Sequence, residues 1–335
     1  MLNFQPTKKL NQARCFYITF ICLVILSSIP LSNNGWAQAP KKAQIAFSSD
    51  RNGNDEIYMM NIDGNNPRNL TNHLGFDYSP AWSPDGQRIA FYSGRQEGAG
   101  LYMMDADGKN HHYLAPMDSA ANPAWSPDGK NIAFDCPVGR RVDICVIAAD
   151  GGESRNLTPH PLGDQPFDDQ HPTWSPDGKQ IAFTSDRSGL GIFVMDADGN
   201  NQRRLTPRRT WDSRPAWSPD GKQIAFQSSN NNNIDIYVMK VDGTDRRRLT
   251  RDPAHDRYPS WSPDGKKILF YSERDGRNGD VYVMDAHGNN QQNLTNHLMS
   301  DGLYGASWFD PKFALSVFPV GKRIVSWGWL KRLRR

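Results

Sequence analysis

Several signatures of catalysis and of helical architecture are missing from this sequence. No window has the apolar spacing of an amphipathic helix, which argues against helical bundles and mixed α/β folds. The motifs Gly-x-Ser-x-Gly and His-Glu-x-x-His and a glycine-rich phosphate loop are all absent, although the chain has 335 residues and eight histidines. These motifs are typical of serine hydrolases, zinc peptidases and nucleotide-binding enzymes. We therefore expect a protein that is not an enzyme and has no cofactor.

The first 37 residues have the features of a signal peptide. Three cations precede an apolar run over residues 16–31, and small residues follow it. The cations are Lys8, Lys9 and Arg14. We predict a signal peptide at residues 1–37, with cleavage near Ala37 or Ala39, and a periplasmic or secreted mature protein. A leader that is retained as a membrane anchor is the alternative.

Cysteine is scarce, and its placement agrees with export. Of the four cysteines, Cys15 and Cys22 lie in the predicted leader. Cys136 and Cys145 lie on neighbouring strands of one predicted hairpin. Because exported proteins meet an oxidising environment, we predict that these two form a cross-strand disulfide.

A short motif, Trp-Ser-Pro-Asp-Gly, recurs five times at intervals of about 45 residues. A sixth, altered copy reads Ser-Trp-Phe-Asp-Pro. The tryptophans are Trp82, Trp125, Trp174, Trp217, Trp261 and Trp308. Pro and Gly in the motif suit a tight turn, and we expect the tryptophan to pack between repeats.

Each motif opens the same series of short strands and turns. Ile-Ala-Phe follows the motif, then a run such as Ile-Tyr-Val-Met-Asp, a second Asp-Gly turn, and Arg-Leu-Thr. Such runs between turn residues predict four antiparallel strands per repeat, and radial repetition of four-stranded sheets makes a β-propeller. The first repeat lacks its tryptophan strand, which the residues around Trp308 can supply. We predict an all-β, six-bladed β-propeller at residues 43–311, with one blade closed by strands from both termini.

This series resembles the repeat of the TolB-like β-propeller family, with five near-perfect copies within residues 43–311. The resemblance implies an exported propeller that binds a protein partner, as the TolB propeller binds the lipoprotein Pal. TolB proteins carry an α/β domain ahead of the propeller, and we expect no such domain here because the repeats begin almost directly after the leader.

Charge is unevenly distributed along the chain. The formal net charge is +3, yet the leader carries three cations and the last fifteen residues carry six. The predicted propeller is therefore acidic, which argues against nucleic-acid binding. Residues 312–335 form a basic tail that either touches an anionic membrane surface or packs on the propeller as a strand or coil.

The candidate binding residues lie on the face where the repeats differ. Uniform turns share one face of a propeller, so the variable loops share the other, where a rigid scaffold presents binding loops. Four aspartates lie five positions before a tryptophan, and we predict that they approach one another at the channel mouth with three neighbours and bind the partner there. The predicted set is Asp77, Asp169, Asp212, Asp256, His171, Arg214 and Arg257. Alternatively, each aspartate caps its own turn or pairs with a nearby arginine.

Two functions from different classes agree with these residues. The first is an exported scaffold that binds a protein or peptide, such as an envelope lipoprotein, through the variable face and channel mouth. The second is a metal-assisted enzyme that acts on acidic oligosaccharides, resembling oligogalacturonate lyase, with a divalent cation held by His171, Asp169 and Asp212. We rank the scaffold first because only His171 and His255 lie near the predicted channel, whereas those lyases gather several histidines there.

Overall fold

The computed structural model describes residues 37–95, 98–116, 122–160, 167–230, 232–276 and 278–314. All helix and strand assignments within these ranges are β-strands, and they form six four-stranded antiparallel sheets. The predicted all-β, six-bladed β-propeller is confirmed. The predicted signal peptide and most of the basic tail lie outside the described residues. Within those residues, no helix is long and apolar enough to cross a membrane.

Each sheet is one blade, and its strands follow the predicted order from the channel outward. The innermost strands are Asp77–Trp82 (β4), Ala124–Trp125 (β8), Asp169–Trp174 (β12), Trp211–Trp217 (β16), Asp256–Trp261 (β20) and Asp301–Phe309 (β24). The second strands are Gln44–Ser49 (β1), Arg88–Ser93 (β5), Asn131–Val138 (β9), Gln180–Ser185 (β13), Gln223–Asn230 (β17) and Lys267–Ser272 (β21). The third strands are Glu56–Asn61 (β2), Gly100–Asp105 (β6), Arg141–Ala148 (β10), Gly191–Asp196 (β14), Asn233–Lys240 (β18) and Asp280–Asp285 (β22). The outer strands are Arg68–Asn69 (β3), His112–Pro116 (β7), Arg155–Asn156 (β11), Arg203–Arg204 (β15), Arg247–Arg248 (β19) and Gln292–Asn293 (β23).

Blade 1 combines both ends of the ring. Its strand order is β24-β1-β2-β3, and Ile45 lies opposite Trp308 in the antiparallel pair of β1 and β24. Blades 2 to 6 each use four consecutive strands. Because β1 and β24 pair with each other, neither strand has an unpaired edge where the ring closes.

The repeated motif forms one hydrogen-bonded turn. In blade 2, the Ser83 hydroxyl donates to Asp85 and accepts the Arg88 N–H, and the Gly86 N–H donates to the Ser83 carbonyl. Gly86 has a φ of +69°, which glycine adopts without a Cβ penalty. The same serine-to-aspartate bond occurs at the other four copies of the motif. The motif is therefore a structural turn, as predicted.

The core lies between adjacent blades. One phenylalanine from each second strand is 0–1% exposed. These are Phe47, Phe91, Phe134, Phe183, Phe226 and Phe270. Tryptophans of the innermost strands cover them, and the indole N–H of Trp125 donates to the Ala81 carbonyl of the preceding blade at 3.1 Å. A fully buried phenylalanine contributes about 1.5–3 kcal/mol of transfer free energy, so repetition of one position supplies much of the ring's stability.

Candidate functional site

The central channel is lined by the innermost strands and has a cavity volume of about 350 Å³. Six residues, one per blade, lie three positions before the blade's tryptophan and line this cavity. We call them the channel ring: Ser79, Asn122, His171, Arg214, Tyr258 and Gly305. Their positions are equivalent but their identities all differ, so the repeated scaffold presents a chemically varied surface at its centre.

An unusual backbone conformation repeats at the channel ring. All six residues have positive φ, from +38° at Asn122 to +90° at Gly305. Five of them are not glycine, and such residues rarely adopt positive φ. In four blades the same place is a β-bulge, where the inner strand has one residue more than its partner. The positive φ is therefore a property of the fold, because every blade has it at this position with a different residue.

Side chains of the preceding blade accept the ring's backbone N–H groups. The acceptor is the residue that follows the buried phenylalanine of that blade. Asp135 accepts the N–H of His171 at 2.7 Å, and Thr184 accepts the N–H of Arg214 at 2.9 Å. Gln227 accepts the Tyr258 N–H at 3.2 Å in the same way. These bonds satisfy donors that the bulge removes from the strand ladder, and they connect each ring residue to its neighbouring blade.

Arg214 is the one residue with a formal charge among the described residues that line the channel. Its guanidinium lies over the Tyr258 ring, 4.1 Å from the centroid, a favourable cation–π geometry. Burial, and then the charge of Arg214, lower the pKa of His171 well below its usual value. His171 is therefore neutral near pH 7, and Arg214 carries the local positive charge.

Asp135 lies directly behind two ring residues. It is 3% exposed, and its oxygens accept the His171 N–H and the Asn122 side-chain amide, each at 2.7 Å. Burial raises its pKa to about 8, while the bonds from Asn122 and His171 and the charge of Arg214 oppose that shift. Near pH 7 most Asp135 carboxyls are protonated.

The four predicted aspartates are buried rather than open to the channel. Asp77, Asp169, Asp212 and Asp256 are each 0% exposed and each pairs with an arginine of its own blade. None of them is among the residues lining the channel. The expected open ring of carboxylates is thus wrong, because the alternative of a neighbouring arginine holds in all four blades. A role for these aspartates in partner binding stays a prediction. In that role they would hold the binding loops in place rather than contact the partner.

We call each pair an aspartate–arginine clamp. In blade 4, Arg187 contacts Asp169 at 2.6 Å, donates through Nε to Ser185 at 3.0 Å, and lies over the Phe193 ring at 5.0 Å. Arg51, Arg95 and Arg274 make equivalent contacts in blades 1, 2 and 6. In these four blades the clamp ties the innermost strand to the loop after the second strand.

Two clamps differ from the sequence-based expectation. Blade 5 has no arginine in the loop after its second strand, and Arg246 near the outer strand reaches Asp212 at 2.6 Å instead. Blade 1 uses Asp301, which lies seven positions before Trp308 rather than five. The innermost strand of that blade has two extra residues, and counting back from the tryptophan could not show them.

Blade 3 replaces the clamp with a disulfide. Its counterpart residue Ala120 lies outside the described residues, but Cys136 and Cys145 occupy the places of the clamp serine and of the aromatic residue below the guanidinium. The two cysteines are bonded, with Cα atoms 5.7 Å apart, so the predicted disulfide is confirmed. A bond that closes so short a loop contributes about 2–4 kcal/mol, and here it links the second and third strands of the blade.

Of the remaining predicted site residues, two line the channel and one does not. His171 and Arg214 belong to the channel ring, whereas Arg257 lies one residue earlier in its strand and contacts Glu273 at 3.7 Å. Successive residues in a strand point to opposite faces, which takes Arg257 away from the channel. His255 accepts the Ile234 N–H at 3.2 Å. Within the described residues, no group of three or more His, Cys, Asp or Glu side chains is placed to hold a metal ion.

Sequence reasoning missed most of the channel ring. The signal was available: each of the five tryptophan motifs is preceded, two positions before the tryptophan, by proline, and the variable residue just before that proline is the ring residue. A count of three rather than five positions from the tryptophan would have found it.

Two crossing loops on the variable face share one sequence and one exposed side chain. Thr-Asn-His-Leu occurs at 71–74 and again at 295–298, on either side of blade 1. Each loop folds onto itself, because the histidine Nδ1 accepts a backbone N–H two residues later. Leu74 is 96% exposed and Leu298 is 68% exposed.

Comparisons with known proteins agree with this architecture. The family model for the TolB beta propeller domain matches residues 23–166, 116–215 and 207–311. The Tol-Pal system protein TolB of Desulfosudis oleivorans is 46% identical over 46 residues, which are 14% of this chain and 10% of that protein. The alignment thus spans about a tenth of the curated relative's length.

Solved structures of similar fold cover more of the chain. TolB from Acinetobacter baumannii superposes with a TM-score of 0.68 at 22% identity, over 91% of this chain and 74% of that one. The putative TolB from Agrobacterium tumefaciens has a TM-score of 0.62 at 26% identity, over 78% of this chain and 91% of that one. The family model matches most of the chain, and the strands form a closed six-bladed ring. This protein therefore belongs to the TolB β-propeller domain family.

Proposed function

We propose that this protein is a non-catalytic scaffold that binds an extended segment of a partner protein across its variable face and into the channel. The channel ring carries the proposal. Six equivalent positions share one backbone conformation and differ in side chain, which is the pattern of a fixed support with a specific lining. Among the described residues of the lining there is no carboxylate and no cysteine.

The exposed leucines support a protein partner. Leu74 and Leu298 stand on crossing loops whose next strands, β4 and β24, enter the channel. Phe76 and Met299, in the same two loops, are 56% and 37% exposed. Apolar anchors around a polar centre are typical of protein recognition surfaces, and a clamp aspartate follows each loop and holds it in place.

The cellular role that we propose is TolB-like. The curated relative is a Tol-Pal system protein, and the predicted leader would export the chain to the compartment of an envelope system. An envelope protein, such as a lipoprotein, is therefore the proposed partner. No described cluster of residues favours the metal-assisted lyase over this role.

The test is site-specific photocrosslinking in the cell envelope. A benzophenone amino acid replaces Leu74 or Leu298 on the variable face, and in matched controls it replaces Lys179 or Lys222 beside the repeated turns, whose side chains are each 80% exposed. We expect one discrete adduct from Leu74 and Leu298 and none from the lysine positions.

The identity of the adduct decides the proposal. A single envelope protein recovered from both leucine positions, and identified by mass spectrometry, supports the scaffold. Equal adducts from the leucine and the lysine positions would reject it. The absence of adducts from the leucine positions would also reject it, provided that these proteins are present at the same level as the lysine-position proteins.

A further inference from the structure

We propose that Arg214 forms a carboxylate-binding site inside the channel, which receives one carboxylate of the partner segment. The identity of the natural ligand rests on the proposed function, but the site itself does not. The ligand is a monoanion of carboxylate chemistry, carried either by an acidic side chain or by a chain terminus.

Arg214 differs from the other well-placed arginines of this protein. Arg187, Arg246 and Arg274 each contact a buried aspartate at 2.6–3.0 Å. Within the described residues, the guanidinium of Arg214 has no ion pair and no hydrogen bond, and its backbone N–H alone is bonded. A guanidinium that is half-buried in a channel and has lost part of its hydration gains more from an anion than one on the open surface.

The orientation of Arg214 leaves its donors free. One face of the guanidinium lies on the Tyr258 ring, 4.1 Å from its centroid. Stacking uses the face of the planar group, whereas its five N–H donors lie in the plane and point outward. A carboxylate accepts two of these donors side by side, which is the strongest common pairing of the two groups.

The nearest acid does not compete for Arg214. Both oxygens of Asp135 accept other donors, from His171 and Asn122, and the carboxyl is 3% exposed. Burial raises its pKa to about 8, so near pH 7 it offers Arg214 little opposing charge. The channel lining thus keeps one uncompensated positive charge, which matches one carboxylate.

His171 lines the same cavity and adds no charge to it, because its ring is neutral near pH 7. Its Nδ1 is buried and has no hydrogen-bond partner within the described residues. Thr173 and Ser260 place hydroxyl groups in the same lining.

The experiment uses acetate as the probe and the full chain as the protein. The protein is ¹⁵N-labelled, and at pH 7 acetate replaces chloride at constant ionic strength. The NMR signals followed are the Nε–Hε resonance of Arg214 and the indole N–H resonances of Trp125 and Trp174, which line the channel. We expect a saturable shift at Arg214 and at the channel indoles with a millimolar dissociation constant. The absence of saturation at Arg214 overturns the proposal, and this reading needs no variant.

Variants test whether the guanidinium is the binding group. Arg214→Gln should abolish the saturable indole shifts, Arg214→Lys should weaken binding at least several-fold, and Arg203→Gln, at an exposed position of the outer strand β15, should leave binding unchanged. Indole shifts in Arg214→Gln equal to those of the parent protein would overturn the proposal. Because no partner is present, these results stand apart from the crosslinking test of the proposed function.

Two peptides distinguish the sources of the carboxylate. One is acetylated triglycine with a free terminus, and the other is acetyl-Gly-Asp-Gly-amide. Tighter binding of the first assigns the site to a chain terminus, and tighter binding of the second assigns it to an acidic side chain. Failure of both to compete with acetate contradicts a site for a partner's carboxylate.

Discussion

Replacement of Arg246 by methionine is expected to lower the free energy of unfolding by about 3–5 kcal/mol, the usual cost of leaving a buried charge without its partner. Arg246 contacts Asp212 at 2.6 Å, and Asp212 is 0% exposed. The guanidinium also donates to Ser228 at 2.6 Å and lies 4.6 Å from the Tyr237 ring centroid. Methionine fills part of the volume but neutralises nothing. The shift of the urea midpoint measures the effect.

Two further variants make the clamp result specific. Arg247→Met changes the adjacent residue, which has no ion pair within the described residues, and should shift the midpoint little. Adding Asp212→Asn to Arg246→Met removes the uncompensated charge and should recover part of the lost stability. If Arg246→Met and Arg247→Met unfold at the same urea concentration, the clamp does not stabilise blade 5.

Asp135 is expected to make the protein less stable as the pH rises. Burial raises its folded-state pKa to about 8, from 3.8 for an aspartate in water. Between these values the folded state keeps a proton that the unfolded state has lost, so stability declines with increasing pH. From pH 5 to pH 8 this one group accounts for up to about 4 kcal/mol.

The variant Asp135→Asn isolates that contribution. Asparagine stays neutral, so the difference in unfolding free energy between the variant and the parent protein should move in favour of the variant from pH 5 to pH 8. Urea unfolding at both pH values measures it. Asp150→Asn, at an exposed turn, is the control. A difference that does not change with pH would show that Asp135 is ionised in the folded protein throughout this range.

The fold was predictable because its determinants are local. The Ser83 to Asp85 bond and the positive φ of Gly86 lie within one short motif, so five copies of that motif specify five turns. The closure of blade 1 followed from a missing strand at one end and an unpaired tryptophan at the other. The disulfide followed from two cysteines in one hairpin.

The candidate site was less predictable because it depends on side-chain reach and backbone handedness. Asp212 pairs with an arginine 34 residues later in the chain, and no spacing rule selects Arg246 over its neighbours. Positive φ at Arg214 and Tyr258 runs against the preference of those residue types. Asp301 is displaced by two extra residues in its strand. Each of these facts needs the folded ring.

If a partner enters the channel through the ring, blocking the channel lowers its affinity, which is measured with the crosslinked partner once it is identified. Ser79→Tyr places a tyrosine at a ring position whose φ, +57°, equals that of Tyr258, so the backbone tolerates it. Lys179→Tyr adds the same side chain beside the repeated turns. We expect at least about a tenfold loss of affinity, or about 1.4 kcal/mol, for Ser79→Tyr and none for Lys179→Tyr. Equal affinities for the two variants and the parent protein would contradict it.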